Sequence, residues 1–259
     1  MTFGAWQEAQ ANNNVPYGYP GRSPRICPWV QSTALTDGTS TSIAATAPVG
    51  IMPGDLLLAV CATRDDASSQ WVPPTGWTNL VPVYAAGGSG GGRRIAWKIA
   101  NNDDARAATF TFATVGNNNN EISLVCVRGV EQSTLGGYRA GFGGWCAGIT
   151  SRYWNERSTG ISGVPQVCVP DADCLVLACA SSSTANNAQH PVFTWGAPFV
   201  SISAGGSNRT GVEWAQARPG PARGGVFPRT AASISMASGG GPTNTEHVTT
   251  ICIRGRLRV

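Results

Sequence analysis

The 259-residue sequence predicts an all-β protein: two tandem, internally duplicated antiparallel β-sandwich (jelly-roll-like) domains behind an extended N-terminal arm. Three observations lead there. Charged residues make up only 12% of the chain, while 33 glycines and many Ser, Thr, Ala and Asn residues suit short strands joined by turns. Apolar residues alternate with a period of two over short runs, the pattern of a half-buried strand. And the segment "DLLLAVCA" at 55–62 returns as "DCLVLACA" at 173–180, 118 positions further on.

Residues 1–24 form the arm. They are rich in Asn, Pro and Gly, end in "NNNVPYGYPGRSP", and have too little apolar surface to bury. Such a segment is either disordered or ordered against a partner. It has no basic region followed by an apolar core, so it does not read as a secretory signal. No run approaches 18 uninterrupted apolar residues, so no membrane insertion is expected.

Residues 25–131 form the first sandwich. In "RRIAWKIA", Ile95, Trp97 and Ile99 face one way, and Arg94, Ala96 and Lys98 the other. "TFTFAT" puts Phe110 and Phe112 on one face. "DLLLAVCA" and "LVCV" are apolar on both faces, as central strands are when both sides are covered. Turn-forming stretches such as "WVPPTG", "GGSGGG", "NNDDA" and "GNNNN" separate the runs. Only "NNDDARAA" suits a helical turn, with Asn or Asp as its cap. Seven or eight strands in about 105 residues is the density of a sandwich.

Residues 132–259 repeat the plan. At an offset of 118, Asp55, Cys61, Pro73 and Trp77 overlie Asp173, Cys179, Pro191 and Trp195. Trp97 overlies Trp214, "SLVCVRGV" overlies "TTICIRGR", and Cys27 overlies Cys146 at nearby offsets. Offsets drift as loop lengths change. Trp77, Trp97, Trp195 and Trp214 are therefore expected in the core.

"VGIMPGDLLLAVCA", "WVPPTGWTNL", "ATFTF" and "VCVRGV", taken in that order, resemble a domain of tailed-bacteriophage virion proteins. The likeness covers residues 40–130 and, with Asp-Ala in place of Pro-Gly before Asp173, residues 158–256. It implies structural work: a decoration, collar, or minor tail or fibre protein, mounted by its arm and sandwich faces. Its partners would be other virion proteins and copies of itself, as a trimer. Assembly in the host cytoplasm and release by lysis would follow, which also reconciles eight cysteines with the lack of a signal. The alternative is a carbohydrate-binding adhesin or receptor-binding module that takes a host-surface glycan.

The search for chemistry returns no catalytic, cofactor or metal site. His190 and His247 have no Cys, Asp or Glu at ligand spacing. Cys168, Cys174 and Cys179 fit no common zinc module, and Asp171 and Asp173 lack the glutamate a calcium loop needs. No nucleophile elbow is present. The adjacent acids at 65–66 and 103–104 are expected to be solvated, although paired carboxylates are also how glycosides are hydrolysed. The glycine run 87–92 leads into a strand, so it lacks the helix N-terminus that binds phosphate.

Charge excludes another class. Residues 131–259 carry ten arginines against six acids, a surplus too mild and scattered for nucleic acid.

The cysteines and four tryptophans remain. Within units, Cys61–Cys126 and Cys179–Cys252 are the first candidate disulfides, each tying a central strand to the last one, worth about 3 kcal/mol. Buried free thiols fit the same positions. Cys27, Cys146, Cys168 and Cys174 are candidates for bonds within or between subunits. Trp6, Trp71, Trp145 and Trp154 fall outside the repeat and are the candidate surface contacts.

Overall fold

The computed structural model describes residues 25–63, 71–84, 93–113, 120–132, 146–154, 163–170, 173–183, 192–203, 210–218, 225–228, 232–237 and 245–256. The arm (1–24), Trp6, Trp145, His190, the acids at 65–66 and the glycine run 87–92 lie outside them.

Among the described residues, seven strands fall in the first half: β1 (Trp29–Gly38), β2 (Ser42–Thr46), β3 (Leu56–Thr63), β4 (Thr78–Tyr84), β5 (Arg93–Ile99), β6 (Thr109–Ala113) and β7 (Asn120–Arg128). Nine of the described strands fall in the second: β8 (Cys146–Trp154), β9 (Val167–Val169), β10 (Leu175–Ser183), β11 (Val192–Trp195), β12 (Val200–Ser203), β13 (Thr210–Ala217), β14 (Gly225–Phe227), β15 (Ile234–Ala237) and β16 (Thr245–Ile253). All named pairs are antiparallel.

The protein is all-β, and its strands form layers. One five-stranded sheet runs β1-β7-β3-β5-β4, and a second runs β8-β16-β10-β13-β12. These are the same order, strand for strand. The two sheets pack face to face around a central core that includes Leu56, Leu58, Val60, Leu177, Cys179 and Trp214. Each has its outer face covered by short strand pairs. The β2–β6 pair lies over the first sheet, bringing Ile43, Phe110 and Phe112 onto Leu57, Ala59 and Cys61. The β9–β14 and β11–β15 pairs lie over the second, bringing Val167, Phe193, Phe227 and Ile234 onto Val176 and Ala178.

This layering explains the uninterrupted apolar strands. All eight residues of β3 are buried, because both of its faces meet another layer. The alternation in β5 is as expected, with Ile95, Trp97 and Ile99 toward the central core and Ala96 toward the outer one. Phe110 and Phe112 both meet Trp77 edge-on, at ring separations of 5.5 and 5.4 Å.

The helical turn forms as a single 3-10 turn at Asp104–Arg106. Asn101 Oδ1 accepts the N–H groups of Asp103 and Asp104, at 2.9 and 3.0 Å. Asp104 is not the solvated loop acid the sequence suggested. It is 5% exposed, accepts the Asn101 N–H at 2.8 Å, and pairs with Lys98 Nζ at 2.7 Å.

Candidate functional site

Asp55 and the two Arg-Gly pairs, Arg128-Gly129 and Arg254-Gly255, lie near the start and end of the described chain. Asp55 stands just before β3, and Arg128 closes β7 beside it. Arg128 Nε donates to Asp55 Oδ1 at 2.9 Å and Nη2 to Oδ2 at 2.8 Å, a bidentate pair. Asp55 Oδ2 also accepts the Met52 N–H at 2.8 Å and the Cys126 thiol at 3.4 Å. Arg128 Nη2 reaches on to the Gly50 carbonyl at 2.7 Å. One arginine thus fixes the loop before β3 to the end of β7.

The segment that follows Arg128 crosses to the second half. Gly129 has φ +81°, a conformation that L side chains rarely adopt, and a Cβ there would press on Trp29 and Ile26. Val130 then forms an antiparallel bridge with Gly255. Glu131 N–H donates to the Arg254 carbonyl and Arg256 N–H to the Gly129 carbonyl, both at 3.0 Å. Ile26 N–H donates to the Arg256 carbonyl at 2.8 Å. A Cβ at Gly255 would overlap the Ile26 carbonyl oxygen, so only glycine fits this crossing. The two Arg-Gly pairs noted in the sequence are therefore the two sides of one joint. Arg25 completes it, donating to the Gly255 carbonyl at 2.8 Å and to Glu131 Oε2 at 3.2 Å.

Four cysteines surround this joint. Cys27, exposed, donates weakly to the Asp173 carbonyl at 3.6 Å, and Arg218 reaches both its sulfur and the Pro28 carbonyl. Cys174 and Cys252 are fully buried and their thiols are hydrogen-bonded to each other. Cys146 lies close to Cys252, on β8 opposite Ile253. Burial pushes the Cys27 thiol up despite the nearby Arg218 guanidinium. Burial and the Asp55 carboxylate push up Cys126. The hydrogen bond with Cys174, followed by burial, pushes up Cys252. Each of these shifts favours the protonated thiol over the thiolate.

The first candidate disulfides are corrected by the strand register. Cys61 is opposite Ile122 and Cys126 is opposite Leu57, four residues apart along the ladder, about 13 Å. A disulfide needs Cα atoms within about 7 Å. Cys179 is opposite Thr249 and Cys252 is opposite Val176. That separation is an odd number of residues, so Cys179 faces the central core and Cys252 the outer one. All four are free thiols. Cys168 is exposed on β9.

Of the candidate surface tryptophans, Trp71 is corrected. It is 1% exposed and packs in the outer core of the first half, where its carbonyl accepts a hydrogen bond from Arg94. Trp154 ends β8, and its side chain lies outside the described residues.

Sequence reasoning missed the polar groups that cross the central core. Glu121, fully buried, accepts the Val212 N–H of the opposite sheet at 3.1 Å. Arg93 donates to Thr249, and Thr249 shares a hydrogen bond with Ser151 at 2.7 Å. His247 is buried on the same sheet as Thr249. The available signal was a single acid, Glu121, at the head of the run that continues "ISLVCV".

Among the described residues no three His, Cys, Asp or Glu side chains are placed to hold a metal ion, and no helix is long and apolar enough to cross a membrane. No protein-family model matches the chain, and no curated protein or solved structure matches it either.

Proposed function

We propose that this protein is a non-enzymatic structural component of a tailed-bacteriophage particle: a decoration, collar or tail/fibre protein attached through its arm and its sandwich faces. The two halves, alike in strand order, are read as one ancestral module copied end to end.

The observation that carries this reading is where the carboxylates go. Asp55 holds Arg128, Asp104 holds Lys98, Glu131 holds Arg25, and Glu121 accepts a backbone N–H across the central core. Glu213 accepts from Trp195 and Ser201, at 2.9 and 2.6 Å. Each is committed to tying strands or layers together, the use a scaffold makes of charge. The resemblance over residues 40–130 supplies the virion setting.

The test is mass spectrometry of purified particles from a lysate of the host. Many copies of the chain per particle support the reading, and its absence from particles ends it. Sedimentation of the isolated protein tests the expected trimer.

A further inference from the structure

We propose that Cys174 and Cys252 form a cross-strand disulfide that ties the start of β10 to the end of β16 beside the joint.

The register supplies the placement. Leu56 pairs with Val127 in the first half, and Leu175 pairs with Ile253 in the second. Cys174 therefore stands where Asp55 stands, and Cys252 where Cys126 stands. In the first half this diagonal brings its side chains into contact, with the Cys126 sulfur 3.4 Å from Asp55 Oδ2. In the second half the same diagonal joins two thiols, already hydrogen-bonded, both fully buried and both facing the outer core.

Diagonal Cα atoms in a flat sheet are about 7–8 Å apart, just beyond the usual span of a disulfide. Cys174 stands one residue before the first ladder residue, Leu175, so the ladder spacing does not itself set its distance from Cys252, and the two thiols already meet. The neighbouring sulfurs are less well placed. Cys146 faces the central core, and Cys27 points at the Asp173 carbonyl and Arg218.

The oxidant is a small-molecule disulfide such as oxidised glutathione. One cysteine sulfur, deprotonated, attacks it to give a mixed disulfide and release one reduced thiol. The second cysteine sulfur, losing its proton, then displaces the other small thiol and closes the Cys174–Cys252 bond. Two protons and two electrons leave the protein, and one disulfide becomes two thiols. Because both sulfurs are buried, the exchange belongs to folding or to a transient opening of the end of β16. The inference does not depend on the particle reading.

The test folds the full chain in a mixture of oxidised and reduced glutathione, blocks the remaining thiols in denaturant, and maps linked peptides by mass spectrometry. The expected result is a dominant Cys174–Cys252 link, together with a Tm about 5–10 °C higher than that of the protein held in reductant. In Cys252→Ser the difference between oxidised and reduced protein disappears. Eight blocked thiols, or a dominant link through Cys27 or Cys146, would overturn the proposal. The mapping uses the unaltered chain, so it stands whether or not the variant folds.

Discussion

Cys174 occupies in the second half the position that Asp55 holds in the first, one residue before the ladder of a central strand and across from an arginine, Arg254 or Arg128. The two halves thus close the same corner with different chemistry. In the first, a bidentate ion pair does so. In the second, a thiol stands beside another thiol.

Removing Asp55 tests the first corner. Asp55→Ala leaves Arg128 half-buried without its carboxylate and the Met52 N–H without its acceptor. A loss of about 3 kcal/mol is expected, read as a lower urea midpoint at unchanged slope. A change below about 0.5 kcal/mol would show the pair to be dispensable.

Trp71→Ala tests the corrected placement of that residue. A fully buried indole removed from the outer core is expected to cost about 3–5 kcal/mol. Trp71→Phe is expected to cost much less, since the indole N–H has no hydrogen-bond partner among the described residues. A surface tryptophan would give near-neutral values for both, by thermal or chemical unfolding.

Thiol labelling separates the cysteines. In the fully reduced, folded protein only exposed Cys27 and Cys168 are expected to react with a soluble disulfide reagent. The other six should react only in denaturant. Rapid labelling of Cys61 or Cys179 in the native protein would contradict the layered core.

Glu213 gives a pH dependence of defined sign. Burial raises its carboxyl above the usual value, and the Ser201 and Trp195 hydrogen bonds pull it partly back. The folded state therefore holds this proton more tightly than the unfolded chain does. Its contribution is fully present below the ordinary carboxyl value and is lost as pH rises through the raised one. Glu213→Gln keeps an acceptor and removes the step. The variant is expected to gain on the wild type between about pH 4 and about pH 8 in unfolding midpoint. A constant difference across that range would refute the assignment.

Gly255→Ala tests the joint. The new methyl group meets the Ile26 carbonyl, so residues 25–28 are expected to detach and become open to limited proteolysis. Unchanged protection there would show that the crossing has slack.

The layers and most strand faces were legible in the sequence, and the register was not. Periodicity placed Ile95, Trp97 and Ile99 together and marked β3 as covered on both sides. But a strand apolar on both faces carries no mark of which residue points where, so a slip of one position leaves the pattern intact. The offset of 118 set Cys61 over Cys179, whereas the ladders set Val60 over Cys179. That single step put Cys61 and Cys179 on opposite faces, so Cys179–Cys252 fails by face, whereas Cys61–Cys126 fails by distance along the ladder. Trp71 failed for a related reason. Gln189 stands at its counterpart, and the lack of a repeated tryptophan carries no information on exposure: the Trp71 indole is buried all the same. The joint was visible only as two Arg-Gly pairs, because nothing local in either pair announces that it meets the other.

Ile26 and Arg256, at opposite ends of the described chain, are hydrogen-bonded neighbours. The two ends of the described chain thus meet at one spot. A pull applied through both ends would load that short contact first, peeling it open before any long ladder is strained. The rest of the sandwich would be shielded until the clasp gave way.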